Sequence, residues 1–140
     1  MCMVVYVGSR LPLPLVPWRE SERAFNVTEL TEHEEPVRTH FTVANVRQAG
    51  SHTECGCGFN EWRNTGDEVQ EVWGRSDEAK TSFAKLVSYL REHHVESIYS
   101  CWSGDEGQHR LLARRIKPEG LADPYFQFQE RELLTLDLTP

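Results

Sequence analysis

The densest run of reactive side chains is Gly50 to Phe59, Gly-Ser-His-Thr-Glu-Cys-Gly-Cys-Gly-Phe, which places one imidazole and two thiols within six positions. Donors of this kind suit zinc. In extended backbone Cys55 and Cys57 point to the same side, and Gly56 and Gly58 let the chain curl until both sulfurs and His52 converge on one ion. A closed structural site needs a fourth ligand, for which Cys101, Cys2, His33 and His40 are the candidates, whereas an open fourth position would be catalytic. The expected metal set is His52, Cys55, Cys57 and Cys101, with zinc as the cofactor.

The same residues permit thiol chemistry. His52 or the glycine-flanked amides would stabilise a thiolate on Cys55 or Cys57, and Asp105 would orient the imidazole, which is the pattern of a thiol-dependent enzyme or a redox sensor. A disulfide between residues only two apart would be strained and easily reduced. In a third reading the chain is a binding or regulatory module, its cysteines serve only packing, and Gly56 and Gly58 make a tight turn. The partner in each case is a small molecule or another protein.

The elements that must position these groups read as α/β, with a single mixed sheet, one main amphipathic helix over residues 76–94 and a C-terminal antiparallel hairpin. Met3 to Val7 is a buried strand closed by Gly8, and Phe41 to Arg47 a second, ending at Gly50-Ser51-His52. Ala79, Phe83, Leu86, Val87 and Leu90 share one helical face behind Ser76 as N-cap. Val95 to Trp102 follows as a third strand, ended by Ser103-Gly104-Asp105, and Leu111 to Ile116 is a further one. If the first three strands are parallel, their polar ends all leave from one sheet edge, where open α/β sheets bind ligands. Tyr125 to Gln129 turns at Glu130-Arg131 into Leu134, Leu136 and Leu138 as the hairpin. Thr53 to Gly74 reads as a glycine-rich loop, Asn26 as the cap of a short helix, and Glu29, Glu32, Glu34 and Glu35 as an acidic surface. Pro14-Leu15-Val16-Pro17 has the spacing of a polyproline ligand, but its apolar flanks favour packing against the domain itself.

Length and composition bound the function. The 140 residues fit one domain, 1–140, and 39% hydrophobic with 26% charged residues is an ordinary globular balance. Fifteen Lys and Arg against 22 Asp and Glu give a net charge of −7, which repels phosphate backbones and anionic leaflets and argues against nucleic acid and membrane partners. The apolar start lacks a basic flank, and no apolar run approaches the roughly 18 residues of a spanning helix. Four sparse cysteines, two separated only by Gly56, fit a reducing compartment, so a cytoplasmic protein is expected.

Met1-Cys2 before an aromatic strand, Pro12-Leu13-Pro14 with Pro17-Trp18, and Gly50-Ser51-His52 with Cys55-Gly56-Cys57-Gly58-Phe59 together resemble a group of small bacterial proteins. Phe126-Gln127-Phe128 with Glu132-Leu133-Leu134 extends the likeness to the C-terminal part. The resemblance implies a common fold, and brings with it no catalytic role, substrate or cofactor.

Overall fold

The computed structural model describes residues 2–64 and 66–139. Seven successive residues without a polar face, Met3–Ser9, form strand β1, and all seven are buried. A strand buried on both faces belongs in the middle of a sheet. Around it lie β2 (Asn26–Thr28), β3 (Asn45–Gly50), β6 (Ser97–Trp102), β7 (Leu112–Ile116) and β8 (Glu132–Leu136), in the order β2-β3-β1-β6-β8-β7. The stretch expected to be only a loop contains a two-stranded antiparallel ribbon, β4 (Trp62–Asn64) with β5 (Trp73–Arg75).

The α/β class and the mixed sheet are as the residues predict, but the strand directions differ. β1 is antiparallel to β3, with Val5 opposite Ala49, and to β6, with Tyr6 opposite Tyr99; among the described residues only β7 and β8 run parallel. The helix expected to serve as a parallel crossover instead joins the small ribbon to β6. Consequently β3 and β6 point the same way on either side of β1. Gly50-Ser51-His52 and Ser103-Gly104-Asp105 leave from the edge at which Cys2 enters, while Gly8-Ser9-Arg10 leaves from the opposite edge, where Ser9 Oγ donates to His94 O at 2.9 Å.

The two sheet faces are covered differently. Helix α1 (Asp77–Glu92) packs Phe83, Leu86 and Leu90 into one core with Val5, Val7, Ile98 and Leu134, and Ala79 on it is buried too. Ser76 Oγ accepts the Ala79 N–H at 3.1 Å, so the N-cap falls where the residues place it. Each of the large side chains buried here contributes roughly 1.5–3 kcal/mol. Leu13 joins this core and Tyr89 Oη donates to Pro14 O at 2.7 Å, which commits the proline segment to the domain. The other face carries Val4, Tyr6, Val46, Tyr99 and Cys101 under a 3-10 helix, Glu32–His40. Thr31 caps that helix in a capping box with Glu34, whereas Asn26 lies in β2 and donates to Ser51 O at 3.0 Å. Glu34 is therefore buried, in contrast to its acidic-surface assignment.

The C-terminal strand is antiparallel, but to β6, and Tyr125–Gln129 is not its hairpin arm. Phe126 and Phe128 alternate because both rings pack on Phe83 and on each other, Phe128 also meeting Phe59. The Asn60 side chain takes the place of a strand partner, accepting the Phe128 N–H at 2.9 Å and donating to Phe128 O at 3.0 Å. No helix among the described residues is long and apolar enough to cross a membrane.

Candidate metal centre

The chain leaves β3 at Gly50 and makes a turn whose backbone is held from within. Ser51, fully buried, accepts the Glu54 N–H through its carbonyl at 3.0 Å, and both its backbone N–H and its hydroxyl donate to Cys55 O, at 2.9 and 2.7 Å. Thr53 Oγ1 accepts the Gly58 N–H at 3.1 Å. Glu54 pays for this turn with a left-handed backbone, φ 76°, a conformation that costs a non-glycine residue about 1–2 kcal/mol. Strain of this size persists where surrounding contacts over-determine it. A short 3-10 helix, Gly56–Asn60, then lies against the start of β1.

Gly56 is what lets the two segments touch. A Cβ there would stand 2.9 Å from Met3 O and 2.9 Å from Val5 Cγ2, too close for any side chain to fit without a shift. Across this contact the Met3 N–H donates to Cys57 Sγ at 3.2 Å, although the residues are 54 positions apart. The same approach delivers Cys2, and the sulfurs of Cys2, Cys55 and Cys57 all lie within 4.8 Å of one another. Cys2 is exposed and the other two are half-buried; none is in a disulfide. Three cysteines in this arrangement can hold a metal ion.

The sulfurs are not equivalent. Burial works against charge on Cys55, but the Cys57 backbone N–H, the Thr53 hydroxyl and the Cys57 and Cys2 thiols outweigh it and hold this thiol below its ordinary range. Cys57 is pushed up to about 11, by burial first and then by the adjacent Cys55 and Cys2, which more than offset its bond from Met3.

The His52, Cys55, Cys57 and Cys101 set does not assemble. Only Cys55 and Cys57 of that set meet, and Cys2, weighed as a possible fourth ligand, is the third sulfur. His52 Nδ1 is 3.2 Å from Ser82 Oγ and Nε2 is 3.5 Å from Glu61 Oε2, so both ring nitrogens face protein partners. The His52 backbone N–H also donates to Ser82 Oγ, at 3.1 Å, and the ring packs where a Gly58 side chain would otherwise stand. A Ser–His–Glu alignment results, yet Ser82 is 1% exposed on α1, so the alignment pins the loop to the helix and offers substrate no nucleophile. Glu61, rather than Asp105, orients the imidazole; it is held below the usual carboxylate range by the Ser76 hydroxyl, with Arg63 and His52 adding to the effect. Asp105 sits in the turn after β6.

Cys101 belongs to the core on the face away from α1, opposite Val4, and burial with the nearby Glu106 and Asp105 pushes it up to about 12. His40 stacks on Tyr99 at 3.8 Å with Nε2 2.9 Å from Glu106 O, and burial lowers its pKa.

Sequence reasoning missed a second polar cluster on β1. Tyr6, fully buried, directs its hydroxyl to Glu34 Oε2 at 2.7 Å and Glu106 Oε1 at 3.0 Å. Burial and then the two glutamates raise its pKa far beyond the ordinary tyrosine range. The available signal was a hydroxyl-bearing residue inside an otherwise aliphatic buried strand, since such a group needs a partner. Glu34 Oε1 accepts the Thr31 N–H and Glu106 Oε2 the Gly104 N–H, both at 2.9 Å.

No protein family, no curated protein and no solved structure matches the chain.

Proposed function

We propose that the chain binds a thiophilic metal ion, zinc in first place, through Cys2, Cys55 and Cys57. The observation that carries this reading is the approach of three unbridged sulfurs to within 4.8 Å of one another. Zinc–sulfur bonds of about 2.3 Å set sulfurs about 3.8 Å apart around a tetrahedral ion, so each need move inward by less than about 1 Å. Soft thiolates favour zinc over magnesium or calcium. The three sulfurs leave one tetrahedral position for water or an outside ligand, on the side where Cys2 is exposed. The residues around the sulfurs support the role: Ser51 and Thr53 fix the loop, Gly56 admits β1, and His52 ties the turn to α1.

Binding requires the sulfurs to give up their protons, and Cys57 holds its proton up to about 11. Zinc affinity therefore rises with pH through the neutral range. Reduced protein purified without added metal or chelator should carry close to one zinc per chain by elemental mass spectrometry. Cys2→Ser, Cys55→Ser and Cys57→Ser should each release it, and His52→Ala should keep it. A reduced wild-type chain that neither retains zinc nor takes it up from a zinc–chelator buffer rejects the reading.

A further inference from the structure

The same three sulfurs carry a second chemistry, one that requires no ion. Cys57 Sγ is committed to the Met3 N–H at 3.2 Å. Cys55 Sγ lies 3.6 Å from the Thr53 hydroxyl oxygen, which accepts the Gly58 N–H, so a fixed polar group that can donate or accept stands beside this sulfur. Cys2 reaches the same point from the residue before β1 and is open to solvent. A bond from Cys55 to Cys57 would have to span a single glycine, where the near-perpendicular geometry of a disulfide is hard to reach. Cys2, arriving across the sheet edge, has no such short tether.

We propose that Cys55 reduces hydroperoxides and that Cys2 resolves the oxidised sulfur, leaving a Cys2–Cys55 disulfide. In the first step the Cys55 thiolate, its proton given to solvent, attacks the terminal oxygen of the hydroperoxide. An S–O bond forms, the O–O bond breaks, and the alkoxide or hydroxide that departs with the electron pair takes a proton to become an alcohol or water. Cys55 is then a sulfenic acid, oxidised by two electrons. In the second step the Cys2 sulfur attacks Cys55 Sγ, the S–S bond forms, and the S–O bond breaks. The leaving hydroxide combines with the proton given up by Cys2 to form water. The sum is two thiols and one hydroperoxide converted to one disulfide, one alcohol or water, and one water.

The test uses the full-length chain, reduced and freed of metal, mixed with hydrogen peroxide or cumene hydroperoxide and alkylated before digestion without reductant. Free thiols counted by alkylation in denaturant should fall from four to two, with one linked peptide pair joining Cys2 to Cys55. Cys101→Val, which alters the fourth thiol in the core away from the cluster, should form the same link at a rate within about threefold of wild type. Cys55→Ser should consume no peroxide above its buffer control, and Cys2→Ser should stop at a sulfenic acid on Cys55 that a cyclic 1,3-diketone traps. Far-UV circular dichroism matching wild type establishes that each variant is folded. A Cys55–Cys57 link, diketone labelling on Cys57 in place of Cys55, or four intact thiols after peroxide each overturn the proposal. Zinc binding is measured separately on reduced protein without oxidant, so either reading can fail while the other stands.

Discussion

Strand β1 carries two polar clusters, the thiols gathered at its start and the Glu34–Tyr6–Glu106 cluster near its middle. Both bring together residues far apart in the chain, and both depend on antiparallel neighbours. They differ in how their donors and acceptors are occupied. Each carboxylate oxygen of Glu34 and Glu106 has a polar partner within 3.0 Å, the Thr31 N–H, the Gly104 N–H or the Tyr6 hydroxyl, whose single proton can go to only one of the two glutamates at a time, so that cluster is occupied from within. Around the sulfurs the contacts are the Met3 N–H to Cys57, the Thr53 hydroxyl and the Cys57 backbone N–H to Cys55, and those among the thiols themselves, and Cys2 stays exposed. The carboxylate cluster ties the fold together from inside, and the three cysteines, one of them exposed, are grouped closely enough to hold a metal ion.

The contrast breaks most sharply at Tyr6. Tyr6→Phe leaves two buried carboxylates with no hydroxyl between them and should lower stability in urea by about 3 kcal/mol, without changing the zinc stoichiometry of the folded fraction. A neutral result would mean the buried cluster contributes little. Gly56→Ala comes next. Its Cβ meets the β1 backbone, so a loss of about 1–3 kcal/mol and weaker zinc retention should appear together. Gly74→Ala, where a Cβ meets nothing within 4 Å, is the matched control and should do neither.

Alkaline titration separates the clusters by a third route. Cys101 and Tyr99 are raised to about 12 and Cys57 to about 11, from ordinary values of 9.0, 10.0 and 9.0, chiefly by burial. Between these limits the folded chain holds protons that the unfolded chain releases, so stability present below pH 9 is lost as pH rises toward 12. The melting temperature should fall steadily above pH 9, and Cys101→Val should flatten that fall. The smallest effect is expected at His52, where His52→Ala removes the ties to Ser82 and Glu61 and should cost about 1 kcal/mol while zinc stays bound. Loss of zinc in that variant would bring the imidazole back as a ligand.

The clearest elements in the sequence are those with one dominant local cause. The aliphatic run of β1 and the single apolar face of α1 behind Ser76 were legible because burial or capping leaves each one solution. Strand direction was not, since an apolar run reads the same in either sense and only the tertiary contacts choose. Cys55 and Cys57 stood out by spacing, but the identity of the third sulfur depended on that unseen direction: antiparallel pairing brings Cys2 to the loop, while the register of β6, with Cys101 opposite Val4, puts Cys101 on the other face. His52 was misdirected for a similar reason, because Ser82 on α1 and Glu61 after the loop claim its nitrogens from outside the motif. Tyr125–Gln129 imitated a strand through its two phenylalanines, whose alternation serves an aromatic cluster.

The strand that is first in the chain is also central in the sheet, and this shapes how the molecule must be reached from its unfolded state. β1 takes its neighbours from Asn45–Gly50 and Ser97–Trp102, so large stretches of chain must be closed before those ladders return any free energy. Closure entropy grows only slowly with length, but it is spent before contacts reward it, and domains built from such distant pairings fold on roughly the millisecond-to-second scale. Stopped-flow refolding should fall in that range, with the arrival of β6 as the late event.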